Sequence, residues 1–256
     1  MSNTFKDHFS GHATQYQIAR PDYPWELFHQ LAELAPSQAC AWDCATGNGQ
    51  AALALARHFT DVYASDASFE QVNQASRHHG VHYYAAIAEA SAVAGDTFDL
   101  IAVAQALHWF DLDKFIAEAR RVLKKDGLLA VWCYQRMNIN PATDEIIMSY
   151  YTHTVGRYWP EERKHVENGY SIFEIPLEEQ KLPTFVIEKY WDLQQLSAYV
   201  RSWSATQRYM LEHHEDPVIA LTESLRQGWG RASRKHRVQW PLAVRAGRLM
   251  ACRAPQ

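Results

Sequence analysis

The sequence predicts an α/β fold, a mostly parallel sheet with helices on both faces, from three observations. Short apolar runs alternate with amphipathic segments from residue 39 to residue 133, as repeated strand–helix–strand units do. One of those runs, Phe98–Ala104, is apolar along nearly its whole length, as expected for a strand buried on both faces. The polar motifs fall at the carboxyl ends of the runs, where right-handed crossovers put the ligand crevice of such a sheet.

The elements follow in order. Residues 1–22 are polar and irregular, and the chain then reads Tyr23-Pro24. Pro24 suits a helix start, and Leu27, Phe28, Leu31 and Leu34 have helical spacing up to Pro36. A first strand over about 39–45 leads through a glycine turn into a helix over about 49–58. A second strand, 61–65, ends at Asp66. Ser68 with Gln71 forms a capping-box pattern opening a helix to about His79. Val81–Ala86 is the third strand and Phe98–Ala104 the fourth. Asp111 caps the next helix, whose apolar face is Phe115, Ile116, Ala119, Val122 and Leu123. Lys124-Lys125-Asp126-Gly127 reads as a basic helix end and a turn before a fifth strand, Leu128–Cys133.

From about Gln135 the alternation stops. Residues 135–182 are polar, aromatic and helix-prone, punctuated by Pro141, Pro160 and Pro176. Thr184–Trp191 has strand character. Leu193, Leu196, Val200 and Trp203 mark one amphipathic helix, and Val218, Leu221, Leu225 and Trp229 another. Val238–Val244 reads as a last strand, with Pro241 implying an edge or a bulge. The expected organisation is therefore an N-terminal cap and ligand-binding core over 1–134. Residues 135–256 would supply helical lid insertions, 135–182 and 193–236, and the last strands of the same sheet.

The chain has 256 residues, 47% of them hydrophobic, enough for one large core. A net charge of −4 provides no broad cationic field for nucleic acid or an anionic membrane. Four scattered cysteines suit free thiols in a reducing compartment. The polar start and the lack of a long apolar run lead to the expectation of a cytoplasmic protein without membrane partners.

The chemistry concentrates at Asp43–Gly49. Small residues let the backbone approach a ligand, and amides at the start of the following helix point at it. Asp66, 23 positions beyond Asp43, is spaced to hold a ribose diol. The turn reads D-x-A-x-G-x-G, and with its leading acid it resembles the first motif of the class I S-adenosylmethionine-dependent methyltransferases. Ala104-Gln105-Ala106-Leu107-His108-Trp109-Phe110-Asp111, Tyr16 with Arg20-Pro21-x-Tyr23-Pro24, and Ser202-Trp203-Ser204 resemble a subgroup called methyltransferase type 11, which includes trans-aconitate methyltransferase-like enzymes. The resemblance is close over residues 5–134 and looser beyond.

That resemblance implies a Rossmann-like seven-stranded sheet, S-adenosylmethionine as cofactor and S-adenosylhomocysteine as its product. Asp43 would lie near the methionine amino group, and Ala45, Thr46 and Gly47 along the methionine portion. Asp66 would take the ribose hydroxyls, with Ala67, Ala88 and Glu89 around the adenine. Gln105 and Ala106 would lie under the sulfonium, and Tyr16 and Arg20 over the cofactor. His108 and Trp109 would face the acceptor, a small molecule with a carboxylate as the candidate group. His108 is the candidate general base where the acceptor is a hydroxyl or amine. The family's usual glycine is replaced by Ala45, whose methyl group narrows the turn.

Other readings compete with this one. A nicotinamide-dependent oxidoreductase would show a fuller G-x-G-x-x-G turn and a proton relay. A nucleic-acid methyltransferase would show a basic face and a proline–aromatic motif where this chain has QALHWF. Protein methylation and a cofactor-binding protein without catalysis are the remaining alternatives. His78-His79-x-x-His82 straddles a helix end and a strand without a carboxylate pattern, so no metal site is expected. Arg231, Arg234, Lys235 and Arg237 beside Trp229 and Trp240 read as a clamp for an anionic substrate, an RNA contact or a solvated helix end. Tyr150, Tyr151 and Tyr158 are candidates to shape the acceptor pocket.

Overall fold

The computed structural model describes residues 21–251; the expectations for Tyr16 and Arg20 lie outside the described residues. Helix α1 (Trp25–Leu34) precedes a βα series: β1 (Cys40–Cys44), α2 (Gln50–Leu55), β2 (Asp61–Asp66), α3 (Phe69–Gln74), β3 (Val81–Ala85), β4 (Phe98–Ala104), α4 (Leu112–Val122) and β5 (Leu123–Tyr134). Then come α5 (Pro141–Ser149), α6 (Arg163–Glu167), β6 (Leu177–Glu179), β7 (Val186–Trp191), α7 (Leu193–Arg201), α8 (Ser204–His213), α9 (Val218–Trp229) and β8 (His236–Leu249). The strand order is β3-β2-β1-β4-β5-β8-β6, with β7 also on β8. The pairs from β3 to β5 are parallel, and every pair that β8 makes is antiparallel. The expected fold is therefore observed, with eight strands where seven were expected.

Alternating residues feed two cores, as a sheet covered on both faces requires. Leu128, Ala130 and Trp132 of β5 pack on one face with Leu27, Phe28 and Leu31 of α1 and with residues of α7 and α9. Leu129, Val131 and Cys133 pack on the other with Phe115, Ala119 and Val122 of α4. Among the described residues, no helix is long and apolar enough to cross a membrane.

Several sequence expectations need correction. The helix after the glycine turn stops at Leu55, because Arg57 and His58 donate to Ala54 and Leu55 in a tightened last turn. The Ser68 cap forms, its hydroxyl accepting from Gln71 N–H at 3.4 Å, but α3 ends at Gln74 rather than near His79. His78 Nδ1 instead accepts from the Gly80 amide at 3.2 Å, turning the chain into β3. Lys124–Gly127 is not a turn outside the sheet. β5 begins at Leu123 opposite Phe98, bulges where Asp126 takes φ 64°, and resumes at Leu128 opposite Leu100. Lys124 Nζ is drawn to the buried Asp99 carboxylate at 2.9 Å. β8 is longer than expected, and Pro241 marks where it leaves β7 for β5, its carbonyl accepting from Gln135 N–H.

The turn after β1 holds Ala45, Gly47 and Gly49 at φ 58°, 57° and 89°. A Cβ on Gly49 would overlap the Tyr83 hydroxyl, whereas one on Gly47 would meet open space. Gly49→Ala is therefore expected to lower stability by about 2–4 kcal/mol, and Gly47→Ala by about 1–2 kcal/mol from backbone strain alone. Urea unfolding of both variants checks the order, and equal losses would contradict it.

Candidate functional site

The carboxyl ends of β1, β2 and β4 meet at one edge of the sheet. Thr46 N–H donates to Ser65 C=O at 2.8 Å, tying the glycine turn to β2. Gly47 N–H donates to Asp66 Oδ2 at 2.9 Å, and Ser68 N–H donates to Asp66 Oδ1 at 2.8 Å. Asp66 is thus clamped between the turn and the cap of α3. Carboxylate oxygens carry further lone pairs for a ligand.

Asp43 is fully buried, and Thr46 Oγ1 donates to its Oδ2 at 2.5 Å. Its Oδ1 is buried without a hydrogen-bond partner. Burial pushes the Asp43 carboxyl up to about 7, against the opposing pull of its Thr46 and Ala52 donors, with the nearby Asp66 charge adding to the rise. At the end of β4, Gln105 takes φ 59° and donates its amide to Trp132 C=O at 2.9 Å. Its side-chain Nε2 is likewise buried and unpartnered. Buried polar atoms are nearly always satisfied, so an orphan acceptor and an orphan donor on neighbouring strand ends mark a place for a polar ligand.

The remaining expected residues surround this edge. Ala88 and Ala106 are buried, and Ala67 is partly buried. Glu89 Oε1 accepts from Asp111 N–H at 2.8 Å, so this acid also braces the start of α4. His108 lies in a 3-10 turn, Leu107–Trp109, with its ring 4.6 Å from the Trp109 ring. His108 Nδ1 is 2.9 Å from the hydroxyl of the buried Tyr170. Burial holds the Tyr170 phenol well above its usual range, so it keeps its proton. Either the phenolic hydroxyl or the imidazole Nδ1 is the donor in this contact, according to the tautomer of His108.

Beyond β5 lies a cavity of about 410 Å³, lined in part by Tyr134, Tyr151, Trp159, Arg163 and Ser202–Ser204. An adjoining pocket of about 220 Å³ shares Gln135, Arg136, Asn138 and Arg163 with it. Its aromatic wall is mutually packed, with ring centroids 4.7 Å apart for Tyr151 and Trp159 and 5.7 Å for Trp159 and Trp203. Of the three tyrosines singled out by sequence, only Tyr151 lines the cavity. Tyr150 bonds Thr206 at 3.0 Å, and Tyr158 meets His213 at 2.6 Å. Trp229 and Trp240 are buried in the core and Arg237 pairs with Glu188 at 2.6 Å, so the basic cluster around them forms no aromatic clamp. His82 pairs with Asp61 at 2.8 Å, and among the described residues no group of three His, Cys, Asp or Glu could hold a metal ion.

Sequence reasoning missed Tyr170 and Arg163. Tyr170 reaches His108 across 62 positions, and no local pattern signals such a pairing. Arg163 stands in the run EERKH, which reads as solvated surface.

A family described as a methyltransferase domain matches residues 42–131. A Dictyostelium discoideum protein described as a methyltransferase is 30% identical over 225 residues, 86% of each chain. A solved structure from Anaeromyxobacter dehalogenans, described as a type II methyltransferase, is 40% identical with a TM-score of 0.85, covering 90% of this chain and 97% of its own. A structure from Anabaena variabilis, at 18% identity and TM-score 0.54 over 88% of this chain and 98% of its own, shares the fold.

The raised Asp43 carboxyl predicts a pH dependence. The folded state holds this proton more tightly than the unfolded chain, so the stabilisation is fully present below about pH 4 and is lost as pH rises through about 7. The full effect amounts to as much as about 4 kcal/mol. Unfolding of wild type and Asp43→Asn across this window should show the extra fall in wild type only, and parallel curves would refute the assignment.

Proposed function

Since the chain belongs to the methyltransferase-domain family, whose members are S-adenosylmethionine-dependent enzymes, we propose that it transfers the cofactor's methyl group to a small molecule held in the cavity beyond β5. The observation that carries this reading is the placement of the cavity. Its floor begins at Tyr134, and the preceding β5 residues pair with the end of β4 that carries the unpartnered Gln105 amide. A ligand crevice and a half-open, aromatic-walled cavity thus share one sheet edge.

The residues present fit the cofactor. Asp43 Oδ1 offers a buried acceptor for an ammonium group, Asp66 offers carboxylate lone pairs for a diol, and Gly47 leaves open space for close approach. Ala45 and Thr46 border the methionine side, Ala67, Ala88 and Glu89 the adenine side, and Gln105 and Ala106 the sulfonium side. When bound, S-adenosylmethionine supplies a methyl group already activated on a sulfonium. The protein's contribution is alignment and exclusion of water, and orientation of this kind provides up to about 7–11 kcal/mol of a barrier.

His108, held through its Nδ1 contact with Tyr170, is the residue that would face the acceptor. A carboxylate acceptor needs no base, whereas a hydroxyl or amine acceptor would need His108 as the general base. The helices of residues 135–236 form the wall over this site, in keeping with a lid on a core spanning residues up to 134. The absence of a basic aromatic clamp among the described residues favours a small molecule over nucleic acid.

Incubation with methyl-labelled cofactor and a panel of small carboxylic acids, phenols and amines is expected to put label into a small organic product. Label found only in protein or nucleic acid, or none despite intact cofactor binding, would overturn the reading. Asp66→Ala is expected to weaken cofactor binding about 10- to 100-fold, the loss of a charged hydrogen bond, in direct calorimetry. Unchanged affinity would remove Asp66 from the site. Tyr170→Phe removes the partner of His108 Nδ1, and we expect a lower kcat with unchanged cofactor affinity, whereas an unaltered rate would remove this contact from the site.

A further inference from the structure

We infer that the acceptor is a carboxylic acid with an apolar, ring-sized body, and that Arg163 is the residue that selects it by gripping a carboxylate. The inference rests on the reading of the cavity as the acceptor site and names the chemistry that site would take.

The argument begins with charge pairing. Arg121, Arg157, Arg201, Arg237 and Arg245 each hold a carboxylate within 2.7 Å. Arg163 is partly buried and holds none among the described residues. Its Nε donates to Tyr151 OH at 3.0 Å, and Tyr151 OH in turn donates to Glu167. Its guanidinium carbon lies 4.8 Å from the Trp159 ring centroid and 5.8 Å from that of Tyr151. These contacts fix the plane of the guanidinium and engage one nitrogen, leaving the two Nη groups. An enclosed guanidinium with a fixed plane and a free fork is suited to bidentate recognition of a planar anion. Arg163 also borders both adjoining pockets, so its fork has space before it.

The surroundings narrow the anion. Asp144 and Glu167 are the acids on these two pockets, each already engaged: Asp144 accepts from the Ile139 amide at 2.9 Å, and Glu167 accepts a hydrogen bond from the Tyr151 hydroxyl. Arg136, the other cation there, is exposed, with Nη1 on Met148 Sδ at 3.4 Å. One enclosed cation flanked by two acids suits a monoanion better than a phosphate dianion. Trp159, Trp203, Tyr151 and Ile147 supply the wall for an apolar body.

The placement toward the reacting edge is consistent with this. Helix α6, which begins at Arg163, packs against the 3-10 turn carrying His108.

The test uses the protein saturated with S-adenosylhomocysteine and titrated calorimetrically with phenylacetate, 3-phenylpropionate, their neutral amides and phenyl phosphate. Wild type is expected to prefer each acid over its amide by at least tenfold, and Arg163→Met to lose that preference with cofactor affinity unchanged. Arg163→Lys, which keeps charge but not the fork, is expected to retain only part of it. The inference is overturned by no acid–amide preference in wild type, by an unchanged preference in Arg163→Met, by Arg163→Lys matching wild type, or by phenyl phosphate binding tighter than either acid. Loss of cofactor affinity in Arg163→Met would overturn it too, by giving Arg163 a structural task. Methyl transfer to a neutral small molecule, indifferent to Arg163, would sink this inference and leave the proposed function standing. An intact acid preference without methyl transfer to any small molecule would sink the proposed function and the acceptor role of the acid together, leaving only the grip of Arg163 on a carboxylate.

Discussion

The hydrogen bond from the Gly47 amide to the Asp66 carboxylate is the contact on which the site depends. It joins the turn after β1 to the end of β2. The same carboxylate takes the Ser68 amide at the mouth of α3. One acidic side chain therefore joins a turn with three left-handed residues, Ala45, Gly47 and Gly49, to the next strand end. Ala45 is the costly member, since a side chain in this conformation is disfavoured by about 1–2 kcal/mol. The neighbouring bond from Thr46 to Ser65 helps hold it there. Such retained strain at a strand end is common where a backbone must face a ligand.

What the sequence made legible is local. The glycine turn, the acid at Asp66, the bounds of Phe98–Ala104 and the caps at Ser68 and Asp111 all rest on residues a few positions apart, and the structure shows them. Pro241 implied an edge or a bulge, and the structure instead puts it where β8, inside the sheet, passes from β7 to β5. What stayed hidden depends on distant partners. The bulge at Lys124–Gly127 exists because Asp99, a buried acid on the adjacent strand, draws in Lys124. β6 has three residues, too few for any periodicity. Tyr170 and Arg163 gain meaning only when α6 lies against the turn after β4.

On the proposed reading the two parts of the chain divide the chemistry. The βα half would supply an edge built from backbone geometry and buried acids. The later half would supply aromatic surface and a guanidinium, with its helices packed into the same core through Trp229 and Tyr199. β8 ties them together, because its first residues pair with β7 and its later ones with β5 and β6. A cavity lined mainly by residues after Tyr134 can vary that lining without disturbing the strand ends of the βα series.

A crystal structure with S-adenosylhomocysteine tests the central claim most directly. The account predicts the ribose hydroxyls on Asp66, the amino group facing Asp43, and the sulfur beside Gln105 and Ala106, with the cavity beyond β5 still open next to it. A nucleoside bound away from the Asp66–Gly47 contact, or a cofactor filling the cavity lined by Trp159 and Arg163, would contradict it.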